Sequence, residues 1–208
     1  MHISEGILTG SALSAGAAVA VAGTVVGLRR MRDEDVPKVA VLSSAFFVAS
    51  LIHVPVGPSY LHLVLNGLVG IVLGWAAFPA VLVGLLLQAI LFGFGGLTSL
   101  GVNTVNMALP ALLCYYFFRG AVRSDNRFLV GGGGFAAGAL AVALGECMLA
   151  GSLALSGEGL RAAAATVFVA HLPLVLIEGF ITASVVLFLR KVRPELLHGL
   201  DFARQSGC

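Results

Sequence analysis

Long apolar runs, separated by short groups of polar residues, make up most of this sequence. Between Lys38 and Arg119 there is no Asp, Glu, Lys or Arg at all. We read seven runs as membrane-spanning segments, at about residues 7–28, 39–54, 61–77, 79–96, 104–118, 129–155 and 165–189. About 20 helical residues cross the hydrocarbon of a bilayer, so the second and fifth runs are short. Because the runs are continuous and not alternating, they predict helices and not an outer-membrane barrel.

The composition narrows the class of protein further. Hydrophobic residues make up 59% and charged residues 11% of the 208 positions, and the mean hydropathy is +1.02. Soluble proteins carry about 25% charged residues, and a net charge of only +2 offers no basic surface to nucleic acid. These values exclude a soluble enzyme, a disordered chain and a nucleic-acid-binding protein. We expect an all-α membrane protein in which residues 1–208 form one polytopic domain, with a bundle of about seven transmembrane helices at 7–189 and a tail at 190–208.

The basic residues predict the orientation of the bundle. Eleven of the 12 Lys and Arg residues fall into three clusters: Arg29, Arg30, Arg32 and Lys38; Arg119, Arg123 and Arg127; and Arg190, Lys191, Arg193 and Arg204. A seven-segment topology puts all three clusters on one side of the membrane, and basic loops stay in the cytoplasm. The N-terminus is then outside, with the turns at 53–60, 92–103 and 156–161, and the C-terminus is cytoplasmic.

A small set of polar residues interrupts the apolar runs, where such groups are costly and commonly functional. The set comprises His2, Glu5, His53, His62, Asn66, Gln88, Asn103, Asn106, Glu146, His171 and Glu178. His171 and Glu178 are seven positions apart and share one face of the last helix. We expect His171 to contact Glu146, which would lower the cost of burying that carboxylate. The alternative is a proton relay through Glu146, His171 and Glu178.

The first two residues can chelate a transition metal together. The Met1 amine and the His2 amide nitrogen close a five-membered ring with the ion, and that amide and His2 Nδ1 close a six-membered ring. These three nitrogens are coplanar, so another imidazole would complete a square that favours Ni(II) or Cu(II). No Lys or Arg precedes Arg29, which is unlike a secretory signal, and we expect the chain to keep Met1. The alternative is a solvated imidazole without a ligand role.

Two histidines are candidates for the fourth nitrogen. His53 and His62 flank a turn that contains Pro55 and Pro58, on the same side of the predicted topology as Met1. This part of the chain carries no carboxylate, which disfavours a site for Mg²⁺ or Ca²⁺. Spacing alone leaves both histidines open.

Three residues are expected near the N-terminal segment. Glu5 either holds that segment in place by a hydrogen bond or is an ordinary solvated carboxylate. Asn103 is expected to cap the helix that begins there, and Asn106, one helical turn later, to reach the N-terminal segment.

Four segments resemble the CbiM/NikM family, the substrate-specific components of energy-coupling-factor importers for cobalt and nickel. They are MHISEG at 1–6, VPVGPSYLH at 54–62, FGFGGLTSLGVNTVNMA at 92–108, and AHL at 170–172 together with Glu178 and Thr182. The resemblance runs from Met1 to about Leu189. It departs from the family at Ser4, where proline is usual, and at Pro58, where glycine is common.

The resemblance implies a site and its ligands. Co²⁺ or Ni²⁺ would be captured at the outer face of a prokaryotic plasma (inner) membrane by Met1, His2 and His62, with residues 1–6 folded inward as a plug. The ion would be the transported cargo, and no resident cofactor is expected. His53 would lie next to the site without binding the ion, and the other polar residues would support the ligands.

The resemblance also implies partners: a transmembrane coupling subunit, two cytoplasmic ATP-binding subunits and a small accessory membrane subunit. Neither Lys38 nor Lys191 follows a glycine, so the chain has no Walker A motif, and we expect a transport subunit without its own ATPase site. The alternative function is a proton-coupled secondary metal transporter or channel.

Overall fold

Seven α-helices form most of the part of the chain that this computed structural model describes. They are α1 (Gly10–Arg30), α2 (Val36–Ala49), α3 (Asn66–Leu73), α4 (Ala77–Phe92), α5 (Leu100–Val122), α6 (Arg127–Ser156) and α7 (Gly159–Val192). Strands β1 (His53–Val56) and β2 (Ser59–His62) form an antiparallel hairpin, and short 3₁₀ turns lie at Asp33–Asp35, Gly74–Ala76 and Pro194–His198. The structure describes residues 2–56, 59–156 and 159–198; for 53–56, 59–61, 155–156, 159–168, 170 and 198 it describes the backbone alone.

Five helical stretches within these residues are long and apolar enough to cross a membrane. They are Gly10–Arg30, Asn66–Phe92, Leu100–Val122, Arg127–Ala154 and His171–Val192. Helix α2 has 14 residues and extends about 21 Å, less than a hydrocarbon layer of about 30 Å. The expected helical membrane bundle is confirmed, whereas the number of seven crossings and the direction of both termini stay predictions.

The stretch from α3 to α4 reverses its direction. Gly74 between the two helices has φ 55° and ψ −122°, far from helical values. The imidazole of His2 contacts both His62, just before α3, and Gln88, near the end of α4. In one straight helix, Asn66 and Gln88 would be about 33 Å apart. Helices α3 and α4 are therefore two antiparallel arms that meet at Gly74, so the apolar stretch Asn66–Phe92 is not one straight helix across the membrane.

The hairpin corrects the expected ends of two segments. The sequence predicted spans at 39–54 and 61–77, but β1 takes up the end of the first and β2 the start of the second. Pro55 has no N–H for a helical hydrogen bond, and the valines on either side of it favour extended backbone. The hairpin pairs the backbone of His53 with that of His62. The fold is thus nearly all-helical, with one short hairpin between α2 and α3.

Helix α3 lies in the centre of the bundle, and all eight of its residues are buried. A Cβ atom on Gly70 would overlap the carbonyl group of Ala111, so only glycine permits this approach of α3 to α5. On the side facing α6, Asn66 Nδ2 donates to the carbonyl oxygen of Ala141, 3.2 Å away. Helices α5 and α6 thus fix the position of α3, and with it the strand that ends at His62.

Basic residues from all three sequence clusters lie at one end of the bundle. Arg30 lies over the Trp75 ring at 4.9 Å, and Trp75 Nε1 donates to the hydroxyl of Tyr116, 2.8 Å away. Arg119 lies over the Tyr116 ring at 5.2 Å. Arg190 donates to a carbonyl oxygen in the turn between α5 and α6, 2.7 Å away. The clusters are therefore on the same side, as the predicted cytoplasmic assignment requires.

Replacing Gly70 by alanine should destabilise the bundle, because the added methyl group would overlap the backbone of Ala111. We expect a loss of about 1–3 kcal/mol in the free energy of unfolding, the usual cost of overpacking. The measurement is the midpoint of thermal unfolding in detergent. Gly132→Ala in α6 is the matched control, since nothing lies within 4 Å of a Cβ atom there. Equal midpoints for the two variants would contradict the central packing of α3.

Candidate metal centre

The N-terminal segment packs inside the bundle. Ile3 is 1% exposed and clusters with Leu8, Val102 of α5 and Leu149 of α6. Burying a side chain of this size stabilises the folded chain by about 1.5–3 kcal/mol. The residues before α1 are therefore held by their own apolar contacts and carry His2 to a defined place.

A side-chain amide binds both backbone groups of Ile3. Asn103 Oδ1 accepts from the N–H of Ile3 at 3.0 Å, and Asn103 Nδ2 donates to the carbonyl oxygen of Ile3 at 3.1 Å. Ser99 Oγ donates to the same oxygen at 2.7 Å. The expectation that Asn103 caps its own helix was wrong, because Ser99 is the N-cap residue of α5 and the Asn103 side chain is bound to Ile3. These buried bonds fix the backbone next to His2.

Glu5 connects the N-terminal segment to the loop between α4 and α5. Its Oε1 atom accepts a hydrogen bond from the N–H of Thr98, 3.2 Å away. Gly96 approaches so closely that a Cβ atom there would overlap the Glu5 side chain. Glu5 is exposed and joins the N-terminal segment to this loop by one hydrogen bond, and its role in holding the segment for an ion stays a prediction.

His2 and His62 face each other across the site. His2 Nδ1 lies 3.2 Å from His62 Nε2, and the ring centroids are 4.9 Å apart. On the far side of each ring, His62 Nδ1 is 3.1 Å from the carbonyl oxygen of Leu63, and His2 Nε2 is 2.6 Å from Oε1 of Gln88. Because a carbonyl oxygen only accepts, Nδ1 of His62 carries the hydrogen and its Nε2 presents a lone pair to His2.

The spacing of these two nitrogens suits a shared ion. Two nitrogens at neighbouring corners of a square are about 2.8 Å apart when each metal–nitrogen bond is about 2.0 Å. The observed separation of His2 Nδ1 and His62 Nε2 is 3.2 Å. No three His, Cys, Asp or Glu side chains within the described ranges form a group that could hold an ion.

Glu178 of α7 holds the segment that follows His62. Its carboxylate accepts hydrogen bonds from the N–H of Val64 and from that of Leu65, the latter at 3.0 and 3.1 Å from the two oxygens. Leu65 has φ 56°, a left-handed conformation that is unfavourable for a residue with a side chain. Glu178 is fully buried, so these N–H groups replace the water that its carboxylate has lost. The bonds fix the chain between His62 and α3.

Glu146 and His171 meet between α6 and α7, as the sequence predicted. Glu146 Oε1 lies 3.5 Å from His171 Nε2, and both side chains are nearly excluded from solvent. Neither carboxylate oxygen of Glu146 has a hydrogen-bond partner among the described residues. This contact lies one helical turn from Leu149, which packs on Ile3.

For three other candidate residues, the described part of the chain shows no bond to the site. Met1 lies outside the described residues, and His53 is described by its backbone alone. Asn106 is buried, but its Nδ2 has no hydrogen-bond partner in the described part of the chain. The expected contact of Asn106 with the N-terminal segment stays a prediction.

Two residues of the site were given no role by the sequence. Gln88 is the single polar residue in the apolar run 79–96, a signal that could have marked it. Ser99 lies in a glycine-rich loop where serine is common, so nothing in the sequence distinguishes it. Both bind the N-terminal segment, at His2 and Ile3 respectively.

The chain is similar to metal transport proteins over nearly its whole length. Residues 2–196 match the family of CbiM, the cobalt uptake substrate-specific transmembrane region. The chain is 43% identical to a protein of Haemophilus influenzae that is provisionally named for metal transport, over 95% of this chain and 97% of that one. It is 34% identical to the cobalt transport protein CbiM of Sorangium cellulosum, over 98% and 97% of the two chains.

A solved structure has a similar fold. The crystal structure of a transition metal transporter superposes with a TM-score of 0.75 at 28% sequence identity, and the superposition covers 100% of both chains. The overall arrangement of the chain is therefore found in another protein.

Replacing Asn103 by leucine should release the N-terminal segment, because the buried N–H of Ile3 loses its partner and the carbonyl oxygen of Ile3 keeps only the bond from Ser99. Each such loss costs about 1–3 kcal/mol, so we expect amide exchange at Ile3 to become about 10–100 times faster. Hydrogen–deuterium exchange of the N-terminal peptide measures this. Thr104→Val is the matched control, since Thr104 only donates to Leu100 within α5. Unchanged exchange in Asn103→Leu, or equal acceleration in Thr104→Val, would contradict the role of Asn103.

Proposed function

The chain belongs to the CbiM family, and from that premise we propose that it captures Ni²⁺ or Co²⁺ at the outer face of a prokaryotic inner membrane. It then imports the ion as the substrate-binding membrane component of an energy-coupling-factor transporter. The observation that carries the proposal is the approach of His2 Nδ1 to His62 Nε2, at 3.2 Å in a buried site.

The proposed ligands are four nitrogens from two segments. Met1 contributes its amine, His2 its amide nitrogen and Nδ1, and His62 its Nε2. The chelate rings of residues 1 and 2 place three of these nitrogens in one plane, and His62 lies next to the His2 corner. The set requires that Met1 is the first residue of the mature chain and that its amine is unblocked. Residues 1–6 act as the plug that closes the site.

This ligand set selects ions by chemistry. The His2 amide must lose its proton, which only a strongly polarising transition ion induces, and a planar nitrogen set favours Ni(II) or Cu(II). Mg²⁺ and Ca²⁺ need oxygen ligands, and the proposed set contains none. Cu(II) would bind more tightly than Ni(II) by the usual stability order, so its exclusion rests on supply and oxidation state.

The described contacts support a division of labour around the ion. Asn103 and Glu5 hold the N-terminal segment, and Glu178 holds the chain after His62. Glu146, in contact with His171, lies next to the part of α6 on which the plug packs. Metal entry and release then require the bonds on one of the two segments to break.

Import needs energy from other chains. The sequence has no Walker A motif, and the proposed complex adds a transmembrane coupling subunit, two ATP-binding subunits and a small accessory membrane subunit. A proton-coupled carrier would need Glu146, His171 and Glu178 to pass protons between them. The bonds of Glu178 to the N–H groups of Val64 and Leu65 favour a structural role for that carboxylate.

Substituting the two histidines of the hairpin tests the proposed site. His62→Ala removes a ligand, so Ni²⁺ affinity should fall more than about 100-fold. This loss is larger than the usual effect of removing a residue that only hydrogen-bonds a ligand. His53→Ala is the matched control at the opposing hairpin position and should bind within about threefold of the wild type. Isothermal titration calorimetry on protein with its native start measures both. Wild-type affinity in His62→Ala, or the reverse pattern, would contradict the proposed ligand set.

A further inference from the structure

We propose that Gln88 is a positioning residue for metal capture, and that it selects the tautomer in which His2 presents Nδ1 to the ion. This inference rests on the proposed function, because it concerns the same site. It goes beyond that function by assigning a role to a residue that the ligand set does not include.

The location of Gln88 is unusual for a polar residue. It is the single polar side chain of α4, which is otherwise built from apolar residues, proline and glycine. Gln88 is completely buried, and its side chain makes one hydrogen bond in the described part of the chain, to His2. The helix therefore carries an amide to the site of the N-terminal segment, across a sequence separation of 86 residues.

The geometry of this bond selects one tautomer of His2. Gln88 Oε1 is 2.6 Å from His2 Nε2, and an amide oxygen has no hydrogen to donate. The hydrogen therefore lies on Nε2, and Nδ1 is left with the lone pair that the six-membered chelate ring requires. The carbonyl oxygen of Leu63 does the same for His62, whose Nε2 then faces His2. A hydrogen-bond acceptor on the far side of each ring thus fixes the tautomer of that ring.

The other half of the amide indicates that stability is not the reason for Gln88. Its Nε2 is buried without a hydrogen-bond partner among the described residues. An unpaired buried donor destabilises a fold, and an apolar side chain of similar shape in its place is neutral or stabilising. If Gln88 served stability, an apolar side chain in its place would instead lower the stability of the fold. Gln88 should therefore raise metal affinity and lower the stability of the fold, and the two effects can be measured separately.

The test compares variants that differ in hydrogen-bonding capacity. Gln88→Met keeps the shape and removes the acceptor, and Gln88→Glu keeps an acceptor at the same position. Ser43→Ala is the control, because Ser43 makes a buried bond to the carbonyl of Ala80 between α2 and α4, away from the site. Each protein keeps its native start, and Ni²⁺ affinity and the thermal unfolding midpoint are measured in detergent.

We expect Gln88→Met to bind Ni²⁺ about 10–100 times more weakly, the usual effect of removing the partner of a ligand histidine. Its unfolding midpoint should equal or exceed that of the wild type. Gln88→Glu should restore affinity to within a few-fold, and Ser43→Ala should bind like the wild type. As a second readout, nitrogen-15 shifts of labelled histidine should show a gain of the Nδ1–H tautomer at His2 in Gln88→Met.

Wild-type affinity in Gln88→Met would overturn the inference, as would weaker binding that comes with a lower midpoint and is not restored by glutamate. A failure of the inference is distinguishable from a failure of the proposed function. If His62→Ala binds poorly while Gln88→Met binds normally, only the role of Gln88 is wrong. If His62→Ala binds normally, the ligand set itself is wrong.

Discussion

Two imidazole nitrogens, held face to face by buried hydrogen bonds, are the constraint on which the site depends. Neither histidine lies in a helix: His2 belongs to the segment before α1, and His62 ends a short strand. Such segments have many conformations, and bringing two of them to a 3.2 Å contact costs conformational entropy. The helices offset this cost through side chains that bind the backbone or the ring of each segment.

Three helices each contribute one buried polar side chain to this task. Asn103 of α5 binds Ile3, Glu178 of α7 binds Val64 and Leu65, and Gln88 of α4 binds His2. Polar groups are expensive in a membrane protein, and here each is matched to a group that would otherwise be unsatisfied. The close approach at Gly70 and the reversal at Gly74 serve the same end, because they fix the depth of α3 and return α4 to the site.

The helical bundle was predictable because apolar solvent requires backbone hydrogen bonds within helices, and the apolar runs mark where they occur. A turn at 53–60 was predicted from its prolines, but the paired strands on either side of it were not, since the runs at 39–54 and 61–77 are as apolar as a helix. Asn103 was misread by a local rule, because a tertiary contact with Ile3 decides its role. Gln88 was visible as a lone polar residue, but its partner could only be identified by the fold, which joins it to His2.

The most direct test of the account is to block the first amino group. A variant that carries an acetyl group on Met1 turns that amine into an amide and adds no new terminal amine, so the five-membered chelate ring loses its amine nitrogen. The account predicts that this variant binds no Ni²⁺ in a calorimetric titration, while its thermal unfolding midpoint without metal matches that of the native chain. Nickel affinity equal to that of the native chain would contradict it.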